Sequence, residues 1–185
     1  MKNNLIAKFI FFLIFYFNVL NSYSEELKFE ATSIEIIDKD KIIIANEGVK
    51  ILSGDEMVID ADQMRYEKVE EFLEASGNII VTNQIENIEI ISENITYDKK
   101  KGKIISSGNV EIKFENNYTL KTKEIIYLKN SEEILINNIS KIKDNLGNEI
   151  EFEQLNYNII DKLIKGKKVK LLDLEKNFYN FDNAI

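Results

Sequence analysis

The chain has 185 residues, 32 of them acidic and 24 basic, for a net charge of −8, and Arg65 is its single arginine. It contains no Cys, His, Trp or Pro, so thiolate or imidazole zinc sites, a Cys–His pair and a Ser-His-Asp triad cannot be built from it. The carboxylates fall at alternating positions such as Glu111, Glu149, Glu151 and Glu153, the pattern of a solvated sheet face. The expectation is therefore no enzyme, no cofactor and no metal, and the acidic balance argues against nucleic acid as a partner.

At the N-terminus, Lys2 and Lys8 precede an unbroken apolar run over residues 9–17, and Ser22-Tyr23-Ser24 offers small residues where a signal peptidase reads. Residues 1–24 are expected to be a secretory signal peptide, with Glu25 as the mature start. The run is short against the ~20 residues of a spanning helix. Without Lys2 and Lys8, 22 basic residues face 32 acidic ones, a net charge of −10.

From residue 27 onward the chain repeats itself about every thirty residues. A first motif reads Ile59-Asp60-Ala61-Asp62-Gln63-Met64-Arg65-Tyr66, then Ile90-Ile91-Ser92-Glu93-Asn94-Ile95-Thr96-Tyr97, then Leu120-Lys121-Thr122-Lys123-Glu124-Ile125-Ile126-Tyr127, then Ile150-Glu151-Phe152-Glu153-Gln154-Leu155-Asn156-Tyr157. A degenerate copy begins at Phe29 and a partial one at Tyr179. A second motif keeps the same beat: Ala45-Asn46-Glu47-Gly48-Val49, Ala75-Ser76-Gly77-Asn78-Ile79 and Ser106-Ser107-Gly108-Asn109-Val110. A fixed period of this length marks repeated units that complete one another's core.

The units read as strands. Leu73, Ala75, Ile79 and Val81 share one face, as do Ile104, Val110, Ile112 and Phe114, which is period-2 alternation in β-branched residues. In the first motif the apolar phase slips between Ala61 and Met64, and again in every later copy, which points to a bulge or to a strand turning a corner between sheets. Gly77 and Gly108 read as bulges or tight bends rather than phosphate loops. Polar stretches near residues 38–41, 67–71, 98–102, 128–132 and 158–162 have hairpin-loop length. Each repeat is thus two antiparallel strands, and the chain should hold ten or eleven.

Taken together, the Ala61-Asp62, Ser92-Glu93 and Phe181-Asp182 positions, the tyrosine column and the Gly77-Asn78-Ile79 and Gly108-Asn109-Val110 steps resemble the organic-solvent-tolerance (OstA)-like domain of lipopolysaccharide transport proteins. That domain occurs in LptA-type bridge proteins and at the N-terminus of LptD. The resemblance covers residues 27–185. It departs where Asn138 replaces the glycine and where Gly166-Lys167-Lys168-Val169 carries an extra residue; those copies are expected to be edge strands or to pack differently.

The resemblance implies an all-β, antiparallel open β-jellyroll in one domain, residues 25–185, exported to the periplasm. It also implies an apolar, partly open groove shielding the acyl chains of lipopolysaccharide, and edge-to-edge β-augmentation with other Lpt bridge components. Ile79, Val81, Ile90, Val110, Ile112, Phe114, Leu120 and Phe152 are the candidate groove residues, although a closed core would read the same way. Tyr66, Tyr97, Tyr127 and Tyr157 are expected at the rim or in the core. The first strand, through Ser33, Ile34, Glu35 and Ile36, is the candidate docking edge. The last partial copy suggests a chain cut short, and with it an LptD-type N-terminal domain in preference to a free-standing bridge. A β-solenoid or adhesin-like stalk without a lipid site is the alternative.

Overall fold

The alternating stretches form strands, and strands are the only regular elements among the residues that the computed structural model describes, 28–53, 57–83, 88–114, 117–158, 160–161 and 163–185. The expected signal peptide lies outside them. Fourteen strands follow in order: β1 (Lys28–Glu30), β2 (Ser33–Ile37), β3 (Ile42–Ser53), β4 (Met57–Glu67), β5 (Phe72–Asn83), β6 (Ile88–Asp98), β7 (Lys103–Phe114), β8 (Tyr118–Leu128), β9 (Glu133–Ile136), β10 (Ser140–Asp144), β11 (Glu149–Phe152), β12 (Gln154–Asn158), β13 (Leu163–Leu172) and β14 (Phe178–Ala184). β1 with β2, β9 with β10, and β11 with β12 are halves of single passes, so the fourteen make eleven runs, within the ten or eleven expected.

All pairings are antiparallel within one sheet, and each run pairs with the run that follows it in the chain. The all-β antiparallel expectation therefore holds, and the parallel coils of a solenoid are not what this chain forms. Turns fall where the polar stretches near residues 38–41, 67–71, 98–102 and 128–132 placed them, and the stretch near 158–162 lies partly outside the described residues. The Lys41 N–H donates to the Asp38 carbonyl at 3.2 Å, Gly102 to Lys99 at 3.2 Å and Glu132 to Lys129 at 3.4 Å.

The phase slip on β4, β6 and β8 lies against a bulge, one extra residue, on β3, β5 and β7, and the register breaks line up into a crease across the sheet. The registers break between Asn46 and Val49, Asp60 and Gln63, Ser76 and Ile79, Ile91 and Asn94, and Ser107 and Val110. At Gly77 (φ 78°) and Gly108 (φ 81°) the backbone takes the left-handed conformation that favours glycine. A Cβ on Gly77 would lie 2.4 Å from an Asp62 carboxylate oxygen, and one on Gly108 would lie 2.5 Å from the Glu93 Cβ. The neighbouring asparagines complete the lock: Asn78 Nδ2 donates to Asp62 Oδ2 at 2.8 Å, and Asn109 Nδ2 to Glu93 Oε1 at 2.7 Å. The acid of the first motif thus lies across the glycine of the second on the next strand, which is why the two motifs keep one beat.

The departing copies solve the same bend differently. Asn138 sits between β9 and β10, and its side-chain oxygen accepts from the Lys123 N–H (2.9 Å) and the Thr122 hydroxyl (2.7 Å). In the fifth copy Lys168 takes the left-handed φ (54°) and its Nζ reaches Asp182 at 2.6 Å. Neither run lies at an edge of the sheet: β9/β10 sits between β8 and β11/β12, and β13 between β11/β12 and β14.

Folding along the crease brings two leaves face to face. Each crossing strand carries a small buried residue just before the crease and a larger one after it: Ala45 and Val49, Ala61 and Met64, Ala75 and Ile79, Ser92 and Ile95, Ser106 and Val110, Thr122 and Ile125. Because neighbouring strands run in opposite directions, small meets large both along and across the crease, the alternation that lets facing layers interdigitate. The core is the space between the leaves. It divides into a cluster built on β3–β6 and another built on β6–β13, with Ile90 packed against both.

Candidate functional site

The register turns scattered apolar residues into rows. On one leaf Phe29, Ile51, Ile59, Val81, Ile90, Ile112, Leu120, Ile142, Ile150, Leu171 and Tyr179 are each directly opposite the next, one per run from the first to the last. On the other leaf the tyrosine column alternates with aliphatics: Ile36, Ile43, Tyr66, Leu73, Tyr97, Ile104, Tyr127, Ile134, Tyr157 and Ile164. Tyr127 and Tyr157 are buried, and that burial pushes both phenols above their ordinary pKa.

Of the candidate groove residues, Val81, Ile90, Ile112 and Leu120 are consecutive members of the first row, while Ile79, Val110 and Phe152 sit beside the crease on the same leaf. All but Ile90 are at most 5% exposed, and Ile90 is half-buried. Phe114 lies on β7 opposite Ile88 and Tyr118; its side chain lies outside the described residues. Ile51, Ile59, Ile142, Ile150 and Leu171 belong to the same row and went unread in the sequence, because a period shows which face a residue takes and not which residue stands opposite. Along most of its length the row is closed over by both leaves, so the side chains that would contact a ligand are also those that hold the fold, each burial contributing about 1.5–3 kcal/mol.

The interior face comes out into solvent at both edges of the sheet, on the tyrosine-bearing leaf at the first edge and on the row-bearing leaf at the last. Ile34 and Ile36 stand opposite Ala45 and Ile43, on the interior face, yet are 48% and 53% exposed. Tyr179 and Phe181 stand opposite Leu171 and Val169 and are 37% and 49% exposed. Beyond β2 and β14 no further strand pairs among the described residues.

The edge expected to dock is built as follows. The Lys68 N–H donates to the Lys41 carbonyl at 2.8 Å, which turns Lys41, Ile43 and Ala45 toward β4 and Ile42, Ile44 and Asn46 toward β2. Their partners Ile37, Glu35 and Ser33 spend their backbone groups on β3, and Ile34 and Ile36 turn theirs outward. Of the four expected docking residues, Ile34 and Ile36 thus present both backbone and apolar side chain, while Ser33 and Glu35 are exposed but inward-bonded.

The outer face of the row-bearing leaf is an ion-pair ladder. Lys113 pairs with Glu89 (2.7 Å), Lys121 with Glu111 (2.8 Å), and Glu151 with both Lys170 (2.7 Å) and Lys141 (3.3 Å). The hydrogen bonds from Lys170 and then Lys141 hold the Glu151 carboxyl below its ordinary pKa. Among the described residues no group of three His, Cys, Asp or Glu could hold a metal ion.

No protein-family model matches the chain, and no curated protein does. Among solved structures it is similar to LptH, described as the LptA homologous periplasmic component of the conserved lipopolysaccharide transport device from Pseudomonas aeruginosa. The likeness is 13% in identity, covers 87% of this chain and 95% of that one, and has a TM-score of 0.31. At that TM-score the fold stands on the sheet described above.

Proposed function

We propose that the chain is a periplasmic lipopolysaccharide-transport module of the OstA-like class, which shields lipid acyl chains between its leaves and hands them on through its edges. The observation that carries this reading is the apolar row from Phe29 on the first run to Tyr179 on the last, with interior-facing Ile34, Ile36, Tyr179 and Phe181 left exposed at the two ends. A sealed core has no use for such ends. An edge that meets a like edge would carry the row into the next module by β-augmentation. An LptD-type N-terminal domain and an LptA-type bridge share this reading; they differ in whether the β14 edge meets a later part of the same chain or another protomer.

Entry of a chain requires the leaves to part, and each methylene enclosed then contributes about 0.8 kcal/mol. The test is a photo-crosslinking residue at Val81 or Ile112 on the interior row and, as control, at Glu111 on the outer face, with lipopolysaccharide present. Capture from the two interior positions and none from Glu111 is expected. Equal labelling of both faces, or labelling of neither, refutes an interior lipid path.

A further inference from the structure

The crease interior is not uniformly apolar. Ser92 (3% exposed) on β6 and Ser106 (5% exposed) on β7 sit on adjacent strands, one on each leaf, and neither hydroxyl has a hydrogen-bond partner among the described residues. Farther along the crease the position of Ser92 is Thr122, whose hydroxyl donates to Asn138 Oδ1 at 2.7 Å and accepts from the Ser140 hydroxyl at 2.8 Å, and the position of Ser106 is the buried Ile136, with no polar atom to satisfy. Toward the N-terminus the same positions are Ala45, Ala61 and Ala75, with no polar atom to satisfy. The buried Tyr157 hydroxyl is also without a partner among the described residues, but it lies in the tyrosine row of the other leaf; at the crease the unpartnered hydroxyls are those of Ser92 and Ser106, on β6 and β7, where the two core clusters meet. Alanine fills the equivalent positions in the N-terminal half, whereas a buried hydroxyl without a partner is destabilising by the cost of its desolvation.

We propose that Ser92 and Ser106 form a polar subsite at the midpoint of the interior, which receives the hydrogen-bonding group of an acyl chain, a chain hydroxyl or an ester carbonyl, and so fixes how far the chain slides along the row. Each serine can donate and accept, so a hydroxyl or a carbonyl oxygen satisfies the pair, while a plain hydrocarbon leaves both unpaired. The inference rests on the interior being the lipid path, and adds to it a position and a chemical preference.

The test is competition for the full chain between a fluorescent fatty acid and either tetradecanoic acid or its monohydroxylated isomers. The unaltered chain is expected to favour at least one hydroxylated isomer over the plain acid by about fivefold, the scale of one net hydrogen bond. Ser92→Ala with Ser106→Ala should abolish that preference while plain tetradecanoic acid binds as well or better. Thr122→Val, which breaks a hydroxyl pair already satisfied within the protein, should leave the preference intact, and circular dichroism checks that each variant keeps its strands. An equal preference in the double alanine variant, or no preference in the unaltered chain, overturns the subsite while leaving interior binding standing. If neither acid displaces the probe, the lipid path fails and the subsite with it.

Discussion

Gly77 is the position where the crease can be tested by one methyl group. Gly77→Ala forces a side chain into a backbone at φ 78°, which costs about 1–2 kcal/mol for an L-residue. The new Cβ would meet Asp62 Oδ2, Cβ and Cγ at 2.4, 2.8 and 2.9 Å, so Asp62 must swing away and give up its 2.8 Å bond from Asn78, about 0.5–1.5 kcal/mol more. The expected loss is roughly 2–3 kcal/mol. Gly48 is the internal control: its φ is 63°, but a Cβ there meets nothing nearer than Thr32 Oγ1 at 3.9 Å, leaving only the conformational cost of about 1–2 kcal/mol. In an Asp62→Gly background all three clashing atoms are gone, and Gly77→Ala should then cost no more than Gly48→Ala does. Urea unfolding of the four combinations, followed by circular dichroism, measures the coupling. If Gly77→Ala costs the same with and without Asp62, the acid-over-glycine lock is not what couples the two motifs.

Proline at Ile34 or Ile36 removes an outward-facing N–H and should abolish edge association, read by size-exclusion light scattering, with the monomer still folded; proline at Ser33 or Glu35 should instead loosen β2 from β3, read as faster amide exchange of Ile42, Ile44 and Asn46. Equal effects at both pairs would overturn the assigned edge direction. Glu151, its pKa lowered by Lys170 and Lys141, contributes stability that is present above its unfolded pKa and lost as pH falls through the lower folded value. Lys170→Ala should raise the Glu151 carboxyl pKa toward its ordinary value of 4.5 in a carboxyl-carbon NMR titration and shrink the loss of stability between neutral pH and that range.

The repeat was legible because its bends need special chemistry. A left-handed glycine, a hydrogen-bonding asparagine and an acid to cover them are a costly combination, and it recurs at Asp62 with Gly77-Asn78 and at Glu93 with Gly108-Asn109. Hairpin turns were legible for the same reason. The interior was legible only as a face. Val81, Ile90, Ile112 and Leu120 look alike whether they line a groove or pack against a second leaf, since alternation reports the side of a strand and not what covers it. Asn138 hid its role because its side chain does with hydrogen bonds what a glycine does with backbone freedom. The direction of the β2 edge was half legible: Ser33 and Glu35 are two residues apart and so point the same way, and which way depends on where the Lys41 carbonyl is spent. Ser92 and Ser106 passed as small motif residues, and only their burial without partners sets them apart.

Because each run pairs with its successor, the sheet acts as a ruler. Eleven runs leave ten gaps, and at about 4.8 Å per gap the row from Phe29 to Tyr179 measures roughly 48 Å. One thirty-residue copy adds two runs, or about 10 Å, without disturbing the crease on either side, since each lock joins only neighbouring strands. Deleting or duplicating a copy between equivalent turns would therefore change the reach of the molecule in steps of about 10 Å while keeping its cross-section.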